Sequence, residues 1–236
     1  MRPLKQWRYV GAYGPDVMAC VGDVRIGVLR QRFWAVCEPG RPVIARTTLG
    51  RGGVTMDGSR AAVSAGDVQI DLAVEESAAV ETRHADEVWT RKQAGVPVRG
   101  AISVAGRSYE VDCLGAVDET RGRHRRHTTW RWSAGGGWST DGRRVGWNLV
   151  TGVNDEPSGS ERCVWIDGSP REVGPVSFAG DLSSVSFAEG GVLNFEEWGA
   201  ARTTRTSCSC ARTTASRSGP SPACYRAAWS WRRATA

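Results

Sequence analysis

Histidine titrates closer to neutrality than any other side chain, and two of the three in this chain, His124 and His127, follow shortly after Asp118 and Glu119. A carboxylate that orients an imidazole makes a general acid–base pair, so His127 with Asp118 or Glu119 is the catalytic candidate. The competing reading is a structural histidine beside a strand. Metal binding is not expected, because the H-x-x-H spacing sends the two rings to opposite faces of an extended strand. Arg121, Arg123, Arg125 and Arg126 also surround them with positive charge that opposes a divalent cation. The arginine cluster itself reads as a solvated loop.

A second group of candidates is aromatic and polar. Trp130 and Trp132 share one face of a strand, and Trp147, Asn148 and the polar turn at Asn154 and Asp155 follow them. One reading is core or barrel-wall packing; the other is an aromatic wall around an apolar ligand with polar groups at its mouth. Nucleotide and hydrolase signatures are missing: there is no P-loop, no strand-to-helix G-x-G-x-x-G and no G-x-S-x-G elbow. No cofactor is expected, and Gly135, Gly136 and Gly137 read as a tight loop rather than a phosphate cradle.

The elements that must position these residues are strands. Val68, Ile70, Leu72 and Val74 alternate with Gln69, Asp71, Ala73 and Glu75, and Tyr109, Val111 and Cys113 alternate with Glu110 and Asp112. Further candidates are 7–10, 23–28, 31–37, 43–47, 87–90, 128–133, 164–166, 176–178 and 192–198. Hairpin signals stand at Asp57-Gly58, Ala105-Gly106, Asp141-Gly142 and Asp167-Gly168. No long window carries a helical period. The expected fold is all-β and antiparallel, one or more barrels or a large sandwich, whose 29 Gly turn corners and whose 11 Trp supply buried area.

The composition, 40% hydrophobic and 24% charged, is that of a foldable globular chain. Its net charge of +6 suggests a polyanionic partner, but seven of the 31 basic residues fall in residues 200–236, which contain no Lys, Asp or Glu. The remaining 24 face 25 acidic side chains, so the body is neutral and nucleic acid is not an expected partner. Met1–Trp7 holds no apolar secretory segment and no stretch approaches the ~18 apolar residues of a membrane span, so a cytoplasmic protein is expected. Strand-like sequence begins at Trp7; either there is no lead-in or the chain starts inside a longer gene. Cys20, Cys37, Cys113 and Cys163 are scattered singly and read as buried reduced thiols.

Several long motifs carry a resemblance: PLKQWRYVG (3–11), QRFWAV (31–36), HTTWRWSAG (127–135), WNLVTGVND (147–155) and ERCVWIDGSPREV (161–173). Over about residues 3–198 the chain resembles the mainly actinobacterial family called domain of unknown function 2804. That family is similar in turn to lipocalin-like proteins of the carotenoid hydratase type, which pair two lipocalin-like β-domains. The resemblance implies a β-barrel-like body (1–199), possible halves meeting near 114–127, and an interior able to hold an apolar or isoprenoid-like molecule. Two functions stay open: a binder of a small apolar ligand, and a hydratase or isomerase acting on an unsaturated lipid through His127.

After Trp198 the resemblance stops and the composition turns to Arg, Thr, Ser, Ala, Cys and Trp. In the shifted frame, where each codon's second base is the first base of a tail residue, Cys208 and Cys210 each place T there, as do Ser207 and Ser209 if encoded TCN. That gives four apolar residues in a row. The tail, 200–236, is therefore expected to be frame-shifted and disordered, leaving the domain incomplete and the chain an inactive fragment as a third reading. The genomic reading across codons 199–205 decides it; a stop or a polar string in the alternative frame excludes the shift.

Overall fold

The computed structural model describes residues 3–50, 52–84, 87–123, 129–202, 206–216 and 223–233. These form almost nothing but antiparallel strands, in two sheets. The first sheet contains β1 (Lys5–Tyr13), β2 (Met18–Ile26), β3 (Leu29–Cys37), β4 (Ile44–Leu49), β5 (Val54–Asp57), β6 (Arg60–Ala65), β7 (Val68–Val74), β8 (Val80–His84), β9 (Val88–Val104) and β10 (Arg107–Gly122). The second contains β11 (Arg131–Trp138), β12 (Arg144–Thr151), β13 (Cys163–Ile166), β14 (Ser169–Glu172), β15 (Val176–Phe178), β16 (Ser184–Phe187), β17 (Val192–Arg202), β18 (Thr206–Ser216) and β19 (Ala223–Arg233).

Both sheets follow one plan. In the order β4-β3-β2-β1-β10-β9-β7-β6-β5 the first strand pairs with the last at the centre, and hairpins run outward to either edge. β8 lies beside the first half of β9, where β7 lies beside the second. The other sheet repeats this as β14-β13-β12-β11-β19-β18-β17-β16-β15. Each sheet curls: β5 packs on β2 and β3, and β15 packs on β12. The alternation read in β7 is borne out, with Val68, Ile70, Leu72 and Val74 all buried. The Ala105-Gly106 and Asp167-Gly168 turns have positive φ at both residues, as a two-residue hairpin turn requires.

Curling gives three cores. One fills the concave side of the first sheet with Val10, Val21, Val36, Ile70, Leu72, Ile102 and their neighbours. A smaller one, with Trp147, Leu149, Phe178 and Val185, belongs to the second sheet. The third is the seam between the sheets, with Tyr9, Tyr13, Met18, Ala94, Ala116, Trp132, Val150 and Trp165. One bulge lets β9 serve both faces. The pairing with β10 slips between Gly115 and Ala116, opposite Gly95, whose φ of +68° suits a residue without Cβ. Before the bulge Ala94 faces the seam; after it Val96 and Val98 face the concave core. Here the sheets touch backbone to backbone: a Cβ on Gly146 would lie 2.2 Å from the Gly95 nitrogen.

Residues 206–216 and 223–233, in the tail set apart by composition, run as β18 and β19 between β17 and β11. A ladder is made of backbone bonds, so any proline-free stretch can supply one. Cys37 corrects the expectation of reduced thiols: it is disulfide-bonded to Cys210 across 173 positions of sequence. Cys20, Cys113 and Cys163 are free, and burial pushes each thiol up to about 12.

Candidate functional site

On β1, β9 and β10 the residues Tyr9, Asp118 and Lys92 are direct cross-strand partners, all facing the seam. Lys92 Nζ donates to Asp118 Oδ1 at 2.6 Å and lies 3.1 Å from Glu161 Oε2, which the loop between β12 and β13 brings in from the other sheet. All three residues are buried. Trp7 Nε1 and Thr120 Oγ1 also donate to Asp118 Oδ1, both at 3.3 Å, and Thr90 lies beside the Glu161 carboxyl. One ammonium thus serves two carboxylates in a buried site, where a charge is expensive to hold.

The electrostatics follow from that count. Burial pushes the Glu161 carboxyl above the usual carboxylate range; Lys92 opposes this while Asp118 reinforces it. Burial pulls the Lys92 ammonium down, but Asp118 and Glu161 more than offset it, and its pKa ends above the ordinary lysine value. Burial in the trio thus favours the protonated form of Glu161.

A chain of hydrogen bonds leads from Thr90, beside Glu161, to the surface. Thr90 Oγ1 is 2.7 Å from Thr82 Oγ1, which is 2.7 Å from His84 Nε2, and His84 Nδ1 is 3.0 Å from Glu156 Oε2. The His84 side chain is 4% exposed and that of Glu156 49%, so the chain runs from the buried seam to solvent. Both glutamates sit on one loop, which Arg162 anchors by donating to the carbonyls of Glu156 (2.6 Å) and Gly174 (2.9 Å). Asn148 holds its other end, donating to the Glu161 carbonyl at 2.8 Å and accepting from Trp132 Nε1 at 2.8 Å. Trp132 in turn meets Tyr9 edge to face, ring centroids 5.5 Å apart. The Tyr9 and Tyr13 hydroxyls converge beside this wall, 2.7 and 2.6 Å from where a Cβ on Gly11 would stand.

Of the residues singled out from sequence, the seam gathers Asp118, Trp132 and Asn148, and Trp130 packs against the same cluster. Glu119, one residue along the strand, faces the concave side and pairs with Arg8 and Arg91. Trp147 is buried in the second sheet's own core and donates to Ser133 Oγ at 3.1 Å. Asn154 and Asp155 shape the loop: the Asn154 carbonyl accepts from Glu161 N, and Asp155 Oδ2 accepts from Gly152 N. His127 lies outside the described residues. Lys92, Glu161, His84, Thr90 and Tyr9 were not singled out, because only cross-strand register shows that they converge. Among the described residues no group of three or more His, Cys, Asp or Glu is placed to hold a metal ion.

Two curled antiparallel sheets packed through a seam define a protein of the lipocalin-like class, built from two β-units. Residues 59–186, more than half of the chain, match the family described as a domain of unknown function (DUF2804), and the chain belongs to that family. No curated protein matches it. Among solved structures it is similar to an AttH-like protein of Nitrosomonas europaea, at 11% identity and a TM-score of 0.66, over 98% of this chain and 92% of that one. Kievitone hydratase of Nectria haematococca is similar at 8% identity and a TM-score of 0.65, over 98% and 89%. CghA follows at 10% and 0.58, over 99% and 89%. At these identities the likeness is one of fold. Among the described residues no helix is long and apolar enough to cross a membrane.

Proposed function

We propose that the protein binds a small, largely apolar molecule against the aromatic wall of the seam and moves a proton on it, as a hydratase or isomerase of an unsaturated lipid or isoprenoid does. The observation that carries this reading is the buried trio, in which two carboxylates share one ammonium. Glu161 is the acid: its proton goes to one carbon of a double bond while water adds hydroxide to the other. The water's remaining proton returns to the carboxylate, and the Thr90, Thr82, His84 and Glu156 chain offers exchange with solvent. Lys92 and Asp118 hold Glu161 in place and limit the charge left on it. Trp130, Trp132 and Asn148 are the ligand-facing candidates. A hydratase among the proteins of like fold is consistent with this chemistry.

The binder reading, an apolar ligand inside a barrel, finds less support, because aliphatic side chains fill the concave side of the first sheet. The seam trio lies wholly before residue 199, so it does not draw on the tail that the frame reading puts in question.

The test uses solvent label. Wild-type protein incubated in D2O with an apolar extract of its host should yield metabolites carrying one deuterium on carbon, and Glu161→Gln should abolish that labelling. His127→Ala, run beside it, should leave labelling intact; loss with His127→Ala but not with Glu161→Gln would assign the acid to His127 instead.

A further inference from the structure

On the concave face of the first sheet two neighbouring cross-strand rows differ in their charge arithmetic. One row reads Glu81, Arg91, Glu119, Arg8, Asp23 and Arg32 across β8, β9, β10, β1, β2 and β3, with sign alternating at every step. The next row, toward the sheet's end, reads Arg83, Trp89, Arg121, Gln6, Arg25 and Arg30, with no acid at all. Like charges gathered on one sheet face repel. Arg30 finds Asp23 in the row behind, whereas among the described residues Arg83 and Arg121 make no ion pair. They flank Trp89, whose indole nitrogen is tied to Glu81 at 3.1 Å.

This row opens into a cavity of about 500 Å³ lined by Leu4, Arg83, Glu87, Trp89, Arg121 and Arg123, large enough for a small organic ligand. Three arginines and one glutamate are among its lining residues. The cavity wall is joined to an apolar tip: Leu4 O accepts from Gly27 N at 2.9 Å, and next to Gly27 stand Val28, 95% exposed, and Leu29, 63% exposed. Guanidinium groups favour the paired oxygens of carboxylate and phosphate, and exposed aliphatic side chains favour an alkyl chain.

We propose that this end of the first sheet binds an anionic amphiphile, its carboxylate or phosphate head held by Arg83 and Arg121 over Trp89 and its alkyl part on the Val28–Leu29 tip. None of these residues belongs to the seam trio, so the site is separate from the one assigned above. Two probes separate the sources of such a ligand: sodium decanoate below its micellar concentration, followed by calorimetry, and flotation with phosphatidylglycerol–phosphatidylcholine vesicles. Binding to either, weaker in higher salt, is the expected result; decanoate alone points to a soluble acid, vesicles to a lipid surface. Arg83→Gln combined with Arg121→Gln should weaken binding about tenfold, as loss of charge-assisted hydrogen bonds does. Arg60→Gln, on an exposed pair with Asp71, and Glu161→Gln should leave it unchanged. All of these arginines are exposed, and circular dichroism checks that the variants fold. Failure of the wild type to bind either probe, equal affinity for decanol, or a double variant that binds like wild type would overturn the proposal.

Discussion

Lys92 and Arg91, Asp118 and Glu119, Tyr9 and Arg8 are chain neighbours on the same three strands, and the pleat sends them to opposite faces. On the concave face Arg8 and Arg91 meet Glu76 and Glu119, two cations for two acids, with side chains 19% to 25% exposed. Burial alone would raise Glu76, but hydrogen bonds from Arg8, Arg91 and Gln93 prevail and bring it down to about 2. On the seam face one cation meets two acids away from water, and Glu161 moves the other way. The same backbone thus carries a self-neutralising network that fastens strands and an acid-rich one that favours the protonated form of Glu161. Which of the two arises depends on the count of cations and on access to water, not on residue type.

Removing the single seam cation should have the largest effect. Lys92→Met leaves two buried acids without their counter-charge and should cost about 3–5 kcal/mol in chemical denaturation. Adding Asp118→Asn and Glu161→Gln to that background should recover most of the loss, because the remaining groups are neutral. A triple variant as unstable as the single one would mean that packing, not charge, holds the seam.

The pH dependence sharpens the contrast, since the two glutamates carry opposite signs. Glu76, with its folded pKa depressed, contributes stability that is present above pH ~4.5 and lost as pH falls toward 2, so Glu76→Gln should flatten the acid limb. Partial exposure keeps that effect to about 1 kcal/mol. Glu161, with its folded pKa raised, makes stability decline as pH rises above the unfolded value, and Glu161→Gln should lessen that decline. Thermal melts across pH 2–9 would show one limb flattened in each variant; the same limb flattened in both would erase the distinction.

Much of the fold was legible. Alternation located β7 and the start of β10, and glycine-bearing dipeptides located two of the tightest turns, because both signals are local. The site was legible only in part. Asp118 and Glu119 were read as alternative partners of His127, though the period of two sends them to opposite faces as surely as it does Trp147 and Asn148. Lys92 sits in a run of four polar residues, Thr90 to Gln93, past the end of the strand expected at 87–90, and only register sets it opposite Asp118. Glu161 arrives from 43 positions further on, and nothing local marks it. His84 takes its partners from Thr82, two residues back on its own strand, and from Glu156 in the loop between β12 and β13.

The protonation of Glu161 can be observed directly by a ¹³C-detected titration of the glutamate side-chain carboxyls, with Glu161→Gln and Glu76→Gln supplying the assignments. Expected is a Glu161 resonance that stays that of the protonated acid after the ordinary glutamates have ionised, while Glu76 holds its carboxylate shift down to about pH 2. A Glu161 that titrates with or before the ordinary glutamates would contradict a proton stored in the seam, and with it the acid role assigned to that residue.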